Sequence, residues 1–363
     1  MRLVPDYIEQ LEPYKAGKPI DEVQRELGLV KVTKLASNEN PLGPSPKALA
    51  AIRHVLPQSH LYPDPGGFRL RTALAERFRV KNENIILGAG SEGIMGSIVR
   101  TFLHDDEEAL TSEGTFIGFF VLARSQGIKI RTVPLKNFGY DLVAMAAAIT
   151  PKTKIIYLAN PNNPTGTIFH REEFETFLRQ VPDHVLIILD EAYYEYCQHV
   201  TTYPDSQFFR KDNVITLRTF SKAYGLAGIR VGYGLAHEDL IKQLLKVKFP
   251  FEPSSVGQAA AIAALSDTAF LQKTLTTNAK GIQQLSRGLK DMGIRYTPSY
   301  ANFLLTEWDS PEVVADTYNA LLQRGVIVRP LTQFGLPTCL RISVGRQAEN
   351  ATFLKEMLAI LSA

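Results

Sequence analysis

Cysteine and tryptophan are scarce in this chain, whose 363 residues include 2 Cys and 1 Trp. Cys197 and Cys339 lie far apart and outside any CxxC or Cys/His ligand spacing. Neither a disulfide framework nor a structural zinc site is expected. Long hydrophobic runs are also missing. No stretch approaches the ~18 consecutive apolar residues of a membrane span, and the opening MRLVPDYIEQLEPYKAGK has no apolar signal core. The cytosol is therefore the expected compartment. Charge of one sign is not in excess either: 40 Lys+Arg face 37 Asp+Glu, a formal net charge of +3, with the basic residues scattered. That balance argues against nucleic acid as a partner. The absence of low-complexity tracts and of any repeat of about 20–50 residues removes solenoids, propellers and disordered tails.

What is present is a 45% apolar composition over a length that suggests two domains with a cleft between them. Short apolar or β-branched runs recur at 85–87, 128–133, 154–158, 185–189, 214–217 and 230–233. Most are separated by amphipathic stretches of helical length, such as 91–102, 116–126 and 171–180. Near-continuous apolar strands alternating with helices predict an α/β fold with a mostly parallel sheet covered on both faces. After Pro250 helical patterns dominate from Ser255 to Met292. Short strands at 302–306, 326–328 and 340–344 then alternate with helices, and a final helix begins near Gln347. The expected organisation is an N-terminal arm over 1–35, a large domain over 36–250 and a smaller α/β domain over 251–363. The arm, punctuated by Pro5, Pro13, Gly17 and Pro19, is expected to pack on the smaller domain or on a neighbouring subunit.

Four motifs follow strands. Gly88-Ala89-Gly90-Ser91-Glu92-Gly93 matches GxGxxG and opens a helix, presenting backbone N–H groups to a phosphate. Glu113, 20 residues beyond Gly93, keeps a dinucleotide site open as a reading. Asn160-Pro161-Asn162-Asn163-Pro164-Thr165-Gly166 turns the chain sharply off a strand end, where an Asn amide can face a ligand. It reads equally as a tight loop. Asp190-Glu191-Ala192-Tyr193 ends the apolar run VLIIL. A carboxylate there is costly to bury unpaired, so Asp190 is expected to have a cationic partner, with helix capping as the plain alternative. Thr219-Phe220-Ser221-Lys222 leads through a Gly/Ala-rich turn to Arg230. An ammonium in that setting is disfavoured by burial, which makes Lys222 a nucleophile for a carbonyl, while Thr219, Ser221 and Arg230 can hold a phosphate.

One cofactor uses all four. Pyridoxal phosphate needs a lysine for its aldehyde, an acid for its pyridine nitrogen, donors for its phenolic oxygen and an anion-binding turn for its phosphate. A nicotinamide cofactor leaves Lys222 and the Asn163 turn without a task.

ANPNNPTG, DEAY and SKAYGLAGIR, in this order and each after an apolar strand, resemble the fold-type I pyridoxal-phosphate aminotransferases. The arm EPYKAGKPIDEVQRELGL, LASNENPLGPSP, LYPDP and GVIVRPL with GLPTCLRISVG are similar to the histidinol-phosphate aminotransferase branch. The resemblance implies a large domain around a mostly parallel mixed sheet, a smaller C-terminal domain and pyridoxal 5'-phosphate as cofactor. It implies that Lys222 bonds the cofactor and later moves a proton, and that Asp190 keeps the pyridine nitrogen protonated. Asn163 and Tyr193 would donate to the phenolic oxygen. Gly90, Ser91, Thr219, Ser221 and Arg230 would hold the phosphate. Tyr62 would reach the phosphate of the other subunit, making a homodimer part of the site. Arg341 would grip a glutamate carboxylate or the substrate phosphate, with Arg329 and Tyr14 as further phosphate contacts. Phe116 stands where the family usually has a ring-stacking tyrosine, so stacking is retained and a hydroxyl is lost. The implied reaction exchanges the amino group between L-histidinol phosphate and 2-oxoglutarate. An aromatic amino-acid aminotransferase and a threonine-phosphate decarboxylase would keep the same cofactor set. A nicotinamide dehydrogenase and a non-catalytic regulator are the more distant alternatives.

Overall fold

A computed structural model of the chain describes residues 3–13, 17–206, 209 and 212–362. The strands run in chain order as β1 (Thr33–Lys34), β2 (Ile85–Gly88), β3 (Glu108–Ser112), β4 (Lys129–Val133), β5 (Thr153–Ala159), β6 (Leu186–Asp190), β7 (Val214–Thr219), β8 (Gly232–Leu235), β9 (Arg295–Thr297), β10 (Phe303–Glu307), β11 (Val326–Ile327), β12 (Arg329–Pro330) and β13 (Cys339–Ser343). Seven form one sheet in the order β2-β8-β7-β6-β5-β3-β4. All neighbours in it are parallel except those of β8, which is antiparallel to both β2 and β7.

The apolar runs become central strands because both faces are covered. Leu186 and Ile188 of β6 join the cluster formed by Ile94, Ile98 and Val99 of helix Gly90–Phe102. Ile187 and Leu189 point the other way, into the cluster of Phe174 and Phe177 from helix Arg171–Leu178. This alternation is the two-residue period of a pleated strand. All four side chains are buried, each worth about 1.5–3 kcal/mol of transfer free energy. Two details depart from the sequence expectations. Strand β3 has no apolar signature, yet it lies between β4 and β5 with every residue buried. Its polar groups are satisfied internally: Thr111 donates to the Tyr157 carbonyl at 2.8 Å and Ser112 to that of Val133 at 2.7 Å, while Glu108 pairs with Arg131 at 2.9 Å. The last strand of the large sheet starts at Gly232, because Arg230 has φ 58° and belongs to the preceding turn.

A second, antiparallel sheet has the order β12-β13-β10-β9. Leu304, Leu340 and Ile342 from this sheet pack with Leu285, Leu289, Leu321 and Phe353 of three covering helices. The N-terminal stretch is tied to this part of the chain. Val23 of helix Ile20–Leu27 packs with Leu322 and Ile327, and β1 pairs in parallel with β11. Helix Ser255–Ser266 buries Ala260, Ala261 and Ala264 with Leu70, Leu74, Leu87 and Tyr233, so the core on that side of the large sheet extends past residue 250. No helix of the described residues is long and apolar enough to cross a membrane.

Candidate active site

Strands β5, β6 and β7 are adjacent and parallel, so their carboxyl ends deliver three of the motifs to one edge. Beyond that edge is a cleft of about 330 Å³. Ten of the residues singled out from sequence line it: Gly90, Ser91, Phe116, Asn163, Asp190, Tyr193, Thr219, Ser221, Lys222 and Arg230. Clefts at such positions are where open α/β sheets bind ligands.

The anion-binding corner is built from two turns. Gly90 has φ 78° at the start of helix Gly90–Phe102, and a Cβ there would meet the Arg230 guanidinium at 2.7 Å. Only glycine lets the arginine approach this closely. Arg230 donates to the Ala227 carbonyl at 3.1 Å and to that of Ala89 at 3.4 Å, with Ser221 Oγ at 3.5 Å and Glu92 at 3.8 Å. Thr219 Oγ1 accepts from the Ser221 N–H at 3.1 Å and donates to Ser221 Oγ at 2.9 Å. A helix N-terminus, two hydroxyls and a guanidinium in one corner have the donors that a phosphate requires. A Cβ at Gly225, φ 70°, would strike the Gly43 carbonyl, so the SKAYGLAG turn packs directly on the ENPLG segment.

Burial sets the titration of the reactive groups. It pushes the Lys222 ammonium down to about 8, assisted by the charges of Arg341 and Arg230 and opposed by Glu39 and Asp190. Burial pushes Asp190 up to about 6, despite hydrogen bonds from Tyr157 Oη at 2.7 Å and the Ala192 N–H at 3.1 Å. Among the described residues Asp190 forms no ion pair with a Lys or Arg; the Lys222 ammonium, which lines the same cleft, is the cation that favours its charge. The ion pair at this strand end belongs to Glu191, whose carboxylate meets Arg218 at 2.6 Å with both side chains fully buried. A buried carboxylate that faces a cleft and forms no ion pair among the described residues fits a ligand that brings a cation, such as a protonated pyridine nitrogen. The donor set therefore fits pyridoxal phosphate at every functional group: Lys222 for its aldehyde, Asp190 for its nitrogen, Asn163 and Tyr193 for its phenolic oxygen and the Arg230 corner for its phosphate. Tyr193 is itself raised to about 12 by burial, with Arg341 pulling the other way, so it carries its proton at neutral pH.

The other sequence candidates are placed differently. Arg341 lies behind the cleft on β13, donating to Asn163 Oδ1 at 2.5 Å and to the Ala36 carbonyl at 2.7 Å. Arg329 is its cross-strand partner on β12, also buried, and donates to Gln333 Oε1 at 3.4 Å. Tyr62 does not line the cleft of its own chain. It is 80% exposed and stacks on Phe251 with ring centres 4.3 Å apart. Tyr14 lies outside the described residues. Glu113, the acid a dinucleotide reading requires, is not among the cleft residues. Among the described residues no group of three or more His, Cys, Asp or Glu could hold a metal ion.

Two contributors escaped the sequence reading. Tyr157 sits in β5 between Ile156 and Leu158, and its one outward signal is a phenol in a fully buried strand, which needs a hydrogen-bond partner. Asn38 donates to Tyr193 Oη at 2.9 Å across 155 residues of sequence, a contact no local pattern encodes.

The chain is similar to known proteins over nearly its whole length. The family model described as aminotransferase class I and II matches residues 30–357. A protein named histidinol-phosphate aminotransferase 2 from Pseudomonas fluorescens is 45% identical over 98% of this chain and 96% of its own. The histidinol-phosphate aminotransferase of Moorella thermoacetica is 44% identical over 98% of this chain and 92% of its own. The crystal structure of histidinol-phosphate aminotransferase from Sinorhizobium meliloti, in complex with pyridoxal 5'-phosphate, superposes with a TM-score of 0.91 and 31% identity, covering 100% of this chain and 98% of that one. From the matched span, these full-length relatives and the grouping of lysine, acid and anion site at one sheet edge, the chain belongs to the class I and II aminotransferases.

Proposed function

We propose that this chain holds pyridoxal 5'-phosphate in the cleft and transfers an amino group from L-histidinol phosphate to 2-oxoglutarate, giving imidazole acetol phosphate and L-glutamate. The observation that carries the reading is Lys222, an amine that burial pushes down to about 8, in the same cleft as the buried carboxylate of Asp190 and the anion-binding corner at Arg230. When bound, the cofactor supplies an aldehyde for amine exchange and a ring that accepts the electron pair left at a substrate carbon. Lys222 would hold that aldehyde and, as an amine with a lowered affinity for its proton, would serve as the base that carries a proton to and from the substrate α-carbon. Asp190, its two oxygens steadied by Tyr157 and the Ala192 N–H, holds the ring nitrogen protonated. Asn163 and Tyr193 donate to the phenolic oxygen, and Phe116 stacks on the ring. The N–H groups of Gly90 and Ser91, with Thr219, Ser221 and Arg230, bind the phosphate.

The names of the relatives guide the choice of amino donor, and the arginines suit it. Arg341 and Arg329 are cross-strand neighbours, and two guanidinium groups match a dianionic phosphate better than one. The same pair accommodates glutamate in the other half-reaction through Arg341. Tyr62 belongs to the proposal as a residue that crosses to a second copy. Its exposure, next to exposed Leu61 in sequence and stacked on exposed Phe251, supports burial in a homodimer. The division into an arm, a cofactor lobe to about residue 250 and a smaller lobe carrying both arginines is part of the same reading, as is a cytosolic location.

Purified protein offered histidinol phosphate, phenylalanine or threonine phosphate with 2-oxoglutarate tests the proposal. Turnover of histidinol phosphate is the expected result, and its absence would sink the substrate assignment. A colourless protein that binds NAD would remove the cofactor assignment as well.

A further inference from the structure

Asn38 lies in the LASNENPLG stretch, 1% exposed and with φ 55°. Asparagine tolerates that left-handed region because its short amide bonds locally. Four hydrogen bonds end on this residue, and the placement of its amide gives them one direction. The Asn38 backbone N–H, which can only donate, donates to Ser343 Oγ at 2.8 Å. The Ser343 hydroxyl, which can accept that N–H and still donate, donates to Asn38 Oδ1, also at 2.8 Å. With Oδ1 fixed as the accepting end, Nδ2 faces Tyr193 and donates to its Oη at 2.9 Å. Asn302 Nδ2 donates to the Asn38 carbonyl at 3.0 Å and anchors the peptide. Tyr193 Oη thus accepts from a group that offers no acceptor in return. Its own proton must go elsewhere, and Tyr193 lines the cleft.

We infer that Asn38 is a positioning residue: with Ser343 it forms a one-way donor relay that turns the Tyr193 hydroxyl proton into the cleft, toward the phenolic oxygen of the cofactor. The inference rests on the reading of Tyr193 as a donor to that oxygen. It accounts for the left-handed backbone at Asn38, which places one side chain between a strand of the small sheet and a tyrosine of the large one. It also gives Ser343, two residues past Arg341, a task beyond filling space. A carboxylate of the same shape reverses the relay. In Asn38→Asp the side chain accepts, captures the Tyr193 proton and leaves the phenolic oxygen one donor short. Because a donor favours the ionised oxygen, its loss raises the pH at which the bound cofactor changes colour.

The test is a spectrophotometric pH titration of the cofactor-loaded protein and its variants. Tyr193→Phe and Asn38→Asp should each raise the midpoint by about one pH unit, the scale of one charge-assisted hydrogen bond. The double variant should move no further than Tyr193→Phe alone. Asn38→Gly, which keeps the backbone conformation and merely releases the tyrosine, should shift it less than Asn38→Asp. Equal shifts in the Gly and Asp variants would indicate a structural role and overturn the relay. A shift in Tyr193→Phe with none in Asn38→Asp overturns the relay while leaving Tyr193 as the donor. No shift in Tyr193→Phe overturns the reading of Tyr193 and the relay with it. Should Asn38→Asp fail to fold, Ser343→Ala frees the amide to turn Oδ1 toward Tyr193 and must raise the midpoint too. An unchanged titration in that variant overturns the proposal.

Discussion

Arg341 Nη1 donates to Asn163 Oδ1 at 2.5 Å, joining strand β13 of the small sheet to the loop that leaves β5 of the large one. The bond makes Oδ1 the accepting end of Asn163 and leaves Nδ2 as its donor, the polarity a phenolic oxygen requires. The same arginine reaches the Ala36 carbonyl through Nη2 at 2.7 Å, so one planar fork ties three segments of the chain together.

Arg341→Lys is accordingly not a conservative change. A lysine ammonium cannot hold Asn163, Ala36 and a substrate anion in one plane. Steady-state kinetics should give a kcat/KM for 2-oxoglutarate lowered by about 100-fold or more, the scale of losing one partner of a buried charged hydrogen bond. A change below tenfold would separate Arg341 from substrate binding.

Lys222→Ala should abolish turnover while the protein still takes up the cofactor. The phosphate corner around Arg230 and the carboxylate of Asp190 are untouched by the substitution. Absorbance spectra should then resemble those of the free aldehyde, and removal by gel filtration should be easier than from the native protein.

Asp190→Asn separates stability from cofactor binding. The carboxyl titrates near 3.8 in an unfolded chain and near 6 when buried in the cofactor-free fold. Below pH 3.8 the group is protonated in both states and contributes nothing. Between pH 3.8 and 6 the unfolded carboxyl ionises while the buried one keeps its proton, so a penalty accumulates that levels off above pH 6 at roughly 1–3 kcal/mol. Cofactor-free Asp190→Asn should therefore unfold at a higher urea concentration than the native chain at pH 8, with no such gain at pH 3.5. Cofactor binding and kcat should fall, because the charge that holds the ring nitrogen protonated is gone. A variant with native kcat would exclude Asp190 from that task.

Arg218 and Glu191 illustrate the opposite arrangement, a buried pair complete within the chain. Arg218 meets Glu191 at 2.6 Å and Asp205 at 3.1 Å, and its guanidinium sits 3.4 Å from the centre of the Tyr194 ring. Arg218→Met leaves Glu191 buried and unpaired, which should cost about 3–5 kcal/mol in chemical denaturation. Arg218→Met with Glu191→Leu should recover much of that loss. If the double variant were as unstable as the single one, the lost packing of Arg218 on the aromatic rings, rather than the stranded carboxylate, would account for most of the destabilisation.

The alternation of strands and helices was legible because β5 and β6 are apolar on both faces, and only a covered parallel sheet buries such runs. The lysine, the acid and the anion turn were legible for a related reason. Each departs from what its local environment favours: Asp190 ends an apolar strand, Lys222 lies in a Gly/Ala-rich turn, and Gly90 opens a helix with a positive φ. Strand β3 was not legible, since its polar residues are satisfied by Tyr157, Val133 and Arg131 rather than by any neighbour in sequence. Which of the two carboxylates takes a buried arginine was hidden for the same reason. The adjacent Glu191 takes the buried arginine at that strand end, and nothing in DEAY tells which carboxylate faces the cleft.

By itself, the sequence determined which residue types stand at strand ends and therefore which chemistry the chain can perform. Burial cost and turn geometry are local, and they act on each motif separately. Tertiary structure decided the polarity of the site. Asn38 reaches Tyr193 across 155 residues and Arg341 reaches Asn163 across 178, and these bonds set which end of each amide donates. A hydrogen-bond direction is a property of a network, and this network exists only after two sheets and the N-terminal stretch have packed together.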